Sequence, residues 1–197
     1  MADETHIALL KQGVNVWNHW RQAHSNVAPN FVGVNLSHVD LSHADLQAAD
    51  LSGSNFSGDN FSGANLHSAN LSGANLTGAQ LIGDDLTAAE LRGTNLIGAN
   101  LSGADLSDAN LIGANLIGVD LSDANLTNAV LRSANLRYAK LQRANLTNAD
   151  LTDAILSGAN LTDAVLVGTK LTGAETSDTK FQPTDSSSRC EKKAATS

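Results

Sequence analysis

The sequence predicts an all-β solenoid, and three regularities together predict it. From Leu36 to Leu171 every fifth residue is Leu or Phe, 28 positions in succession, with Phe only at 56 and 61. Two residues before these positions Ala occurs 20 times in 28, the exceptions being Val34, Val39, Ser54, Asp59, Asp84, Thr94, Val119 and Thr169. Two residues after them, between 53 and 173, stand 14 of the 16 glycines. A period of five suits neither regular element. On a helix turning roughly 100° per residue, successive Leu side chains would be rotated by about 140° and scattered around the cylinder. On a flat strand an odd spacing alternates faces. A chain that turns through the same angle every five residues brings each Leu and Ala inward, and stacking successive coils buries them.

The N-terminal element is helical. Ile7, Leu10, Val14 and Trp17, with Trp20 continuing the series, define one apolar face of a helix over about residues 4–24, and Asp3 or Thr5 is placed to cap its start. A solenoid ends in an unpaired edge and an uncovered core, so this helix is expected to cover the first coil near Phe31 and Leu36. The two tryptophans are accordingly read as cover for the core and not as a partner groove. Cap and linker occupy residues 1–29, and the repeat domain residues 30–181. Glycine at the recurring corner tolerates the φ values that a sharp turn requires. Both prolines, Pro29 and Pro183, lie outside, as expected if the coils use their backbone N–H groups to bond one another.

At the other end Thr176 breaks the Leu rule and Phe181 partly restores it. Residues 182–197 are rich in Ser, Thr and Lys, have no amphipathic period, and are expected to be a disordered tail. No second helix follows, so the last coil near Leu156, Leu161, Leu166 and Leu171 is expected to be exposed unless Phe181 folds over it or another chain docks there. The expected state is a monomer or a weak end-to-end dimer through the C-terminal coil.

The repeats Ala64-Asn65-Leu66, Ala104-Asp105-Leu106 and Ala144-Asn145-Leu146 resemble the A(D/N)LxX motif of the pentapeptide-repeat proteins, over about residues 31–175. The segment LLKQGVNVWNHWRQ is similar to the leader of cyanobacterial members. The resemblance implies a right-handed quadrilateral β-helix with four pentads, or 20 residues, per coil. The 28 pentads would then make about seven coils, and at roughly 4.8 Å per coil a rod about 34 Å long.

Composition narrows the function. Only 4% of residues are aromatic, so small and aliphatic side chains must fill the interior, and a large ligand cavity is not expected. The single Cys190 forms no internal disulfide, and no apolar run reaches the roughly 18 residues of a membrane span. The N-terminus shows no secretory or transit pattern, which makes the cytoplasm the expected compartment. A net charge of −8 argues against direct binding of nucleic acid.

No phosphate-binding glycine loop is present, because the glycines sit at five-residue spacing. The many hydroxyls, such as Ser52, Ser57 and Ser62, are exposed repeat positions, and all histidines fall within the first 67 residues, so no catalytic triad is expected. His38 and His43, with Asp40 and Asp45 nearby, occupy equivalent positions on consecutive faces, where a right-angled turn points them apart; no metal or other cofactor is expected. Asp59 and Asp84 fall where the resemblance points side chains inward, aligned with Val39 and Ala79 and with Ala64 and Ala104 respectively. They are read as structural carboxylates satisfied by backbone N–H, hydroxyls such as Ser54, or water, and not as a proton-transfer pair.

The outer surface carries the functional expectation, a non-enzymatic scaffold or protein-interaction module of unknown partner. In 20-residue coils Arg92, Ile112 and Arg132 align on one face, Ile97, Ile117 and Arg137 on the next, and Tyr138 falls beside them. Aligned Ile with Arg and Tyr has the composition of a protein-binding patch. Several members of the resembled family mimic DNA and bind type II topoisomerases, which supplies the alternative. It would use the acidic surface of residues 40–123, including Asp40, Asp45, Asp50, Asp85, Glu90, Asp105, Asp108, Asp120 and Asp123. Residues 30–175 hold 15 acids against 6 bases, a net of 6 − 15 = −9. A comparable length of duplex carries roughly 20 charges. Arg132, Arg137, Lys140 and Arg143 form a basic belt above the acidic stem.

Overall fold

The computed structural model describes residues 2–181. Two helices precede the repeat where the apolar spacing predicts one: α1 (Glu4–Lys11) and α2 (Val14–Ala23). The break falls at Gln12-Gly13, where Gly13 takes φ 111°, a value that the apolar spacing on either side does not reveal. Asp3 caps α1, its carboxylate accepting from the N–H groups of Thr5 (2.8 Å) and His6 (3.3 Å).

From Asn30 onward each ladder residue pairs in parallel with the residue 20 further on, in an unbroken series from Asn30↔Asp50 to Asn160↔Lys180. Pairs recur every five residues and repeat every 20, so each coil has four sides, and the domain is a right-handed quadrilateral β-helix. The Leu and Ala positions are buried from Leu41 and Ala44 to Leu161 and Ala159, and the interior is a single column of aliphatic side chains. Phe56 and Phe61 meet edge to face inside it, with centroids 5.4 Å apart.

Most backbone groups of a pentad are paired, which explains the motif. With Leu41 as the example, its N–H bonds Asn60 C=O (2.7 Å), His43 N–H bonds Ser62 C=O (3.2 Å), Ala44 N–H closes the corner onto Leu41 C=O (3.0 Å), and Asn65 N–H reaches back to Ala44 C=O (3.0 Å). The remaining donor, on the residue after Leu, is taken by the side chain of the Asn or Asp before Leu, as in Ser42 N–H to Asp40 Oδ1 (3.0 Å). Every Asn or Asp in that position from 30 to 160 does this except Asn115. Asn and Asp are thus required by an orphan donor, through an Asx turn. The third residue of each corner has φ between 55° and 74°, whether it is Gly or not. Asn and Asp hold many of the non-Gly corners and tolerate this region; Tyr138 (φ 57°) and Arg143 (φ 58°) do so at a cost.

The cap works by replacing a missing coil. Trp17 is fully buried, and its Nε1–H donates to Asp45 C=O (2.8 Å). Asn18 binds the same edge twice, accepting from Asp45 N–H and donating to His43 C=O, both at 2.8 Å. The buried Arg21 donates to the carbonyls of Val27 (2.6 Å) and Gln47 (3.2 Å), and its Nε lies 3.4 Å from Asp45 Oδ2. Leu10 is buried, and Ile7, Val14 and Trp20 are half-buried and packed against the core. At the far end Leu166 and Leu171 are half-buried and Val165 and Val167 exposed; Phe181 is itself 40% exposed, and among the described residues none covers that end. The expected tail, residues 182–197, lies outside the described residues.

Candidate interaction surface and the buried carboxylates

The inward polar residues show what the interior tolerates. Ser54 and Thr94 are buried and donate their hydroxyls to the carbonyls of Phe31 (2.6 Å) and Leu71 (2.7 Å), each 23 residues earlier. Thr169 and Thr179 do the same to Leu146 and Leu156, both at 2.7 Å. Asp59 and Asp84 occupy the same inner position and are fully buried. Asp59 Oδ1 accepts from Val39 N–H (3.0 Å) and Asp84 Oδ1 from Ala64 N–H (3.1 Å), while the Oδ2 of each has no partner. Ser54 plays no part at Asp59, because it is committed to Phe31 and Val34. Burial pushes the Asp59 carboxyl up to about 6 and that of Asp84 up to about 8, against the opposing effect of those backbone N–H groups. Two surface depressions, of about 170 and 440 Å³, lie where the cap meets the first coils, lined by Arg21, Ala28 and Gln47 and by Gly13, Asp40 and His43 respectively. Neither touches Asp59 or Asp84.

Among the described residues no cluster of three or more His, Cys, Asp or Glu is arranged to hold a metal ion. The rings of His38 and His43 lie where Cβ atoms at Gly58 and Gly63 would stand, one coil on. No helix among the described residues is long and apolar enough to cross a membrane.

The aligned Ile and Arg residues sit at two successive corners, joined by a side whose outward residues are Asn95, Asn115 and Asn135. Ile97 is 36% exposed and Tyr138 69%, Arg92 and Arg132 are exposed, and Ile112, Ile117 and Arg137 are half-buried. Asn115 stands between Ile112 and Ile117, and its buried Oδ1 has no partner. It is the Asn that omits the Asx bond, so Ile117 N–H is left without that acceptor. The Asn ladder also stops here. Asn55 donates to Asn35 (3.1 Å) and Asn75 to Asn55 (2.9 Å), but no such bond links Asn95, Asn115 and Asn135. The aligned Ile residues are legible in the sequence; the unsatisfied Asn115 is not, because its residue type fits the motif.

The basic belt is less free than its sequence suggests. Arg143 forms a bidentate pair with Asp123 (2.7 and 2.6 Å), Lys140 bonds Asp120 (3.0 Å), and Arg137 lies 3.9 Å from Glu175. These pairs neutralise two of the acids assigned to the acidic surface, and Arg21 meets a third at Asp45. With coil register fixed at 20, the two Ile/Arg corners and the side between them carry no Asp or Glu from residue 31 to 150. The exposed acids of that span all lie on the remaining corners and sides. The rod is two-sided in charge.

A four-sided β-helix built from five-residue repeats and capped at its N-terminal end defines a class of repeat protein. The profile for pentapeptide repeats matches it with eight copies, over residues 29–58, 60–83, 85–123, 114–153 and 144–182, and the chain belongs to that family. Among solved structures it is similar to HetL, a pentapeptide-repeat protein involved in heterocyst differentiation regulation from Nostoc sp. strain PCC 7120. The identity is 30% over 80% of this chain and 93% of that one, with a TM-score of 0.25. Rfr23 from Cyanothece 51142 is 27% identical over 84% and 97% of the two chains, with a TM-score of 0.34. QnrB1, a plasmid-mediated fluoroquinolone resistance protein, is 21% identical over 79% and 91%, with a TM-score of 0.41. No curated protein sequence matches.

Proposed function

We propose that this protein is a non-enzymatic interaction scaffold that binds a protein partner across Arg92, Ile97, Ile112, Ile117, Arg132, Arg137 and Tyr138. The observation that carries this reading is Asn115: a buried, unpartnered amide oxygen flanked by Ile112 and Ile117, on the side of the rod that carries no acid from residue 31 to 150. A buried acceptor without a donor costs about 1–3 kcal/mol, and turning the Asn115 amide outward to a partner donor would remove that cost. Half-exposed aliphatic side chains around one polar contact, with Arg and Tyr at the edge, match the core and rim of protein interfaces. The expected partner surface is apolar at its centre, donates one hydrogen bond and is acidic at its rim.

DNA mimicry toward a type II topoisomerase is less well supported, because a duplex is charged all round and this rod has one side that carries no acid from residue 31 to 150. The two readings separate in a pull-down with wild-type protein and two variants, each first checked for retained fold. Ile112→Asp/Ile117→Asp alters the patch. Asp85→Asn/Asp105→Asn/Asp108→Asn neutralises acids that have no salt bridge among the described residues. A partner lost only with the Ile variant supports the patch; a topoisomerase lost only with the Asn variant overturns it.

A further inference from the structure

The first coil has no preceding coil to pair with, and the cap serves only two of its four sides. Asn30 C=O accepts from Asp3 N–H (3.0 Å), and Asn30 N–H donates to Nδ1 of His6 (3.2 Å). Asp45 is served by Asn18 and Trp17 in the same way. Asn35 and Asp40 hold the equivalent ladder position on the two sides between. Neither has a partner for its backbone N–H or C=O among the described residues. Both are exposed, whereas Asn55 and Asn60, one coil on, are half-buried. The inward residues beside them, Val34 and Val39, are half-buried where Ser54 and Asp59 are buried. The depression of about 440 Å³ between the α1–α2 turn and Ser42 and His43 opens next to Asp40.

We propose that this half-open edge receives one extended segment of a partner protein, which adds a strand beneath Asn35 and Asp40 and sets a Lys or Arg against the Asp40 carboxylate. An exposed strand edge is a template for such addition. The opening is bounded on both flanks by the cap, so it admits a segment and not a whole coil of a second copy. It spans two ladder positions joined by one corner. The occupant is therefore about eight residues long, with a single turn, glycine at the corner and small or aliphatic residues facing Val34 and Val39. The cation is argued from the same column of the rod, where Lys140 Nζ meets Asp120 at 3.0 Å one coil apart. The Ser42 hydroxyl and N–H hold the Asp40 carboxyl below its ordinary range, so it is charged. This surface is separate from the Ile/Arg patch and rests on different observations.

The test uses the full chain, labelled with ¹⁵N, and the acetylated, amidated peptide Ala-Asn-Leu-Ser-Gly-Ala-Lys-Leu. The expected result is amide shifts centred on Asn35 and Asp40, and hydrogen exchange at those two amides slowed about tenfold at saturation. The same peptide N-methylated at its leucine and glycine amides is expected not to bind. Asp40→Asn is expected to weaken binding about threefold, and Ile112→Asp/Ile117→Asp to leave it unchanged, which keeps failure here distinct from failure of the patch. Unchanged exchange at Asn35 and Asp40 with millimolar peptide would overturn the proposal. So would protection of both amides in the free protein, since that would mean that the chain itself or a second copy already fills the edge.

Discussion

Asp59 and Asp84 sit among hydroxyls that solve the same problem differently. Ser54, Thr94, Thr169 and Thr179 each donate to a carbonyl in the preceding coil. A protonated Asp has a hydrogen to offer from Oδ2; a carboxylate has none. Both carboxyls are raised by burial, so the folded state holds protons that the unfolded chain releases above about 4. Stability is therefore expected to fall as pH rises, between about 4 and 6 for Asp59 and between about 4 and 8 for Asp84, and then to level off. For Asp59 the loss is on the order of 3 kcal/mol, at roughly 1.4 kcal/mol per unit. Urea unfolding across this range checks it, and in Asp84→Ala the decline above pH 6 should disappear. That variant is expected to be more stable than wild type by about 1–3 kcal/mol at pH 8, because its column neighbours are Ala64 and Ala104 and Ala64 N–H keeps its bond to Phe61 C=O (2.6 Å). Asp59→Ala should gain less, since it leaves Val39 N–H without its Asp59 acceptor; Asp59→Ser, copying Ser54, should restore the gain. The inward placement of both residues is legible in the sequence from their place in the repeat and the family resemblance that points that place inward. Their bonding is not, because it depends on which carbonyls and N–H groups the preceding coil leaves free.

Two elements, the corner and the cap, carry the architecture. Gly158 is a corner where both demands on glycine meet: φ is 71°, and a Cβ would overlap the ring of Tyr138. Gly158→Ala is expected to destabilise by about 1–2 kcal/mol from backbone strain alone, with the Tyr138 ring displaced, which thermal unfolding and Tyr fluorescence would record. Gly73, with φ 67° and open space around it, should show the strain without the ring displacement. In the cap, Trp17→Ala removes a fully buried ring and a bond to the ladder edge, and is expected to cost about 3–5 kcal/mol. Asn18→Ala should cost about 1–3 kcal/mol through the orphaned Asp45 N–H and His43 C=O. The apolar spacing of Ile7, Leu10, Val14 and Trp17 is enough to find the cap and its buried face. It does not find the break at Gly13, nor Asn18 and Arg21, whose work is to imitate a coil's backbone and leaves no periodic trace in the sequence.

At the scale of the whole molecule, one repeat unit is used for two purposes. Its inward positions are nearly invariant and specify the rod. Its outward positions are free, and from residue 31 to 150 they divide the rod lengthwise into an acidic side and an acid-free side bearing Ile and Arg. That division is written in the sequence but becomes visible only when residues are sorted by coil register, which five-residue periodicity does not supply by itself. The same register sets Lys140 over Asp120 and Arg143 over Asp123, and the rotamers of the two cations complete the ion pairs. The coil formed by residues 105–124 offers the most direct test of the interaction reading, because it presents both sides at one height. A photo-crosslinking amino acid is placed singly at Ser107, Ile112, Ile117 and Ser122, one at each corner, and the full-length protein is irradiated in the cells that express it. The same partner is expected to be captured from positions 112 and 117 and not from 107 and 122. Capture from 107 and 122 alone, beside Asp105, Asp108, Asp120 and Asp123, would contradict it and make the acidic side the binding surface.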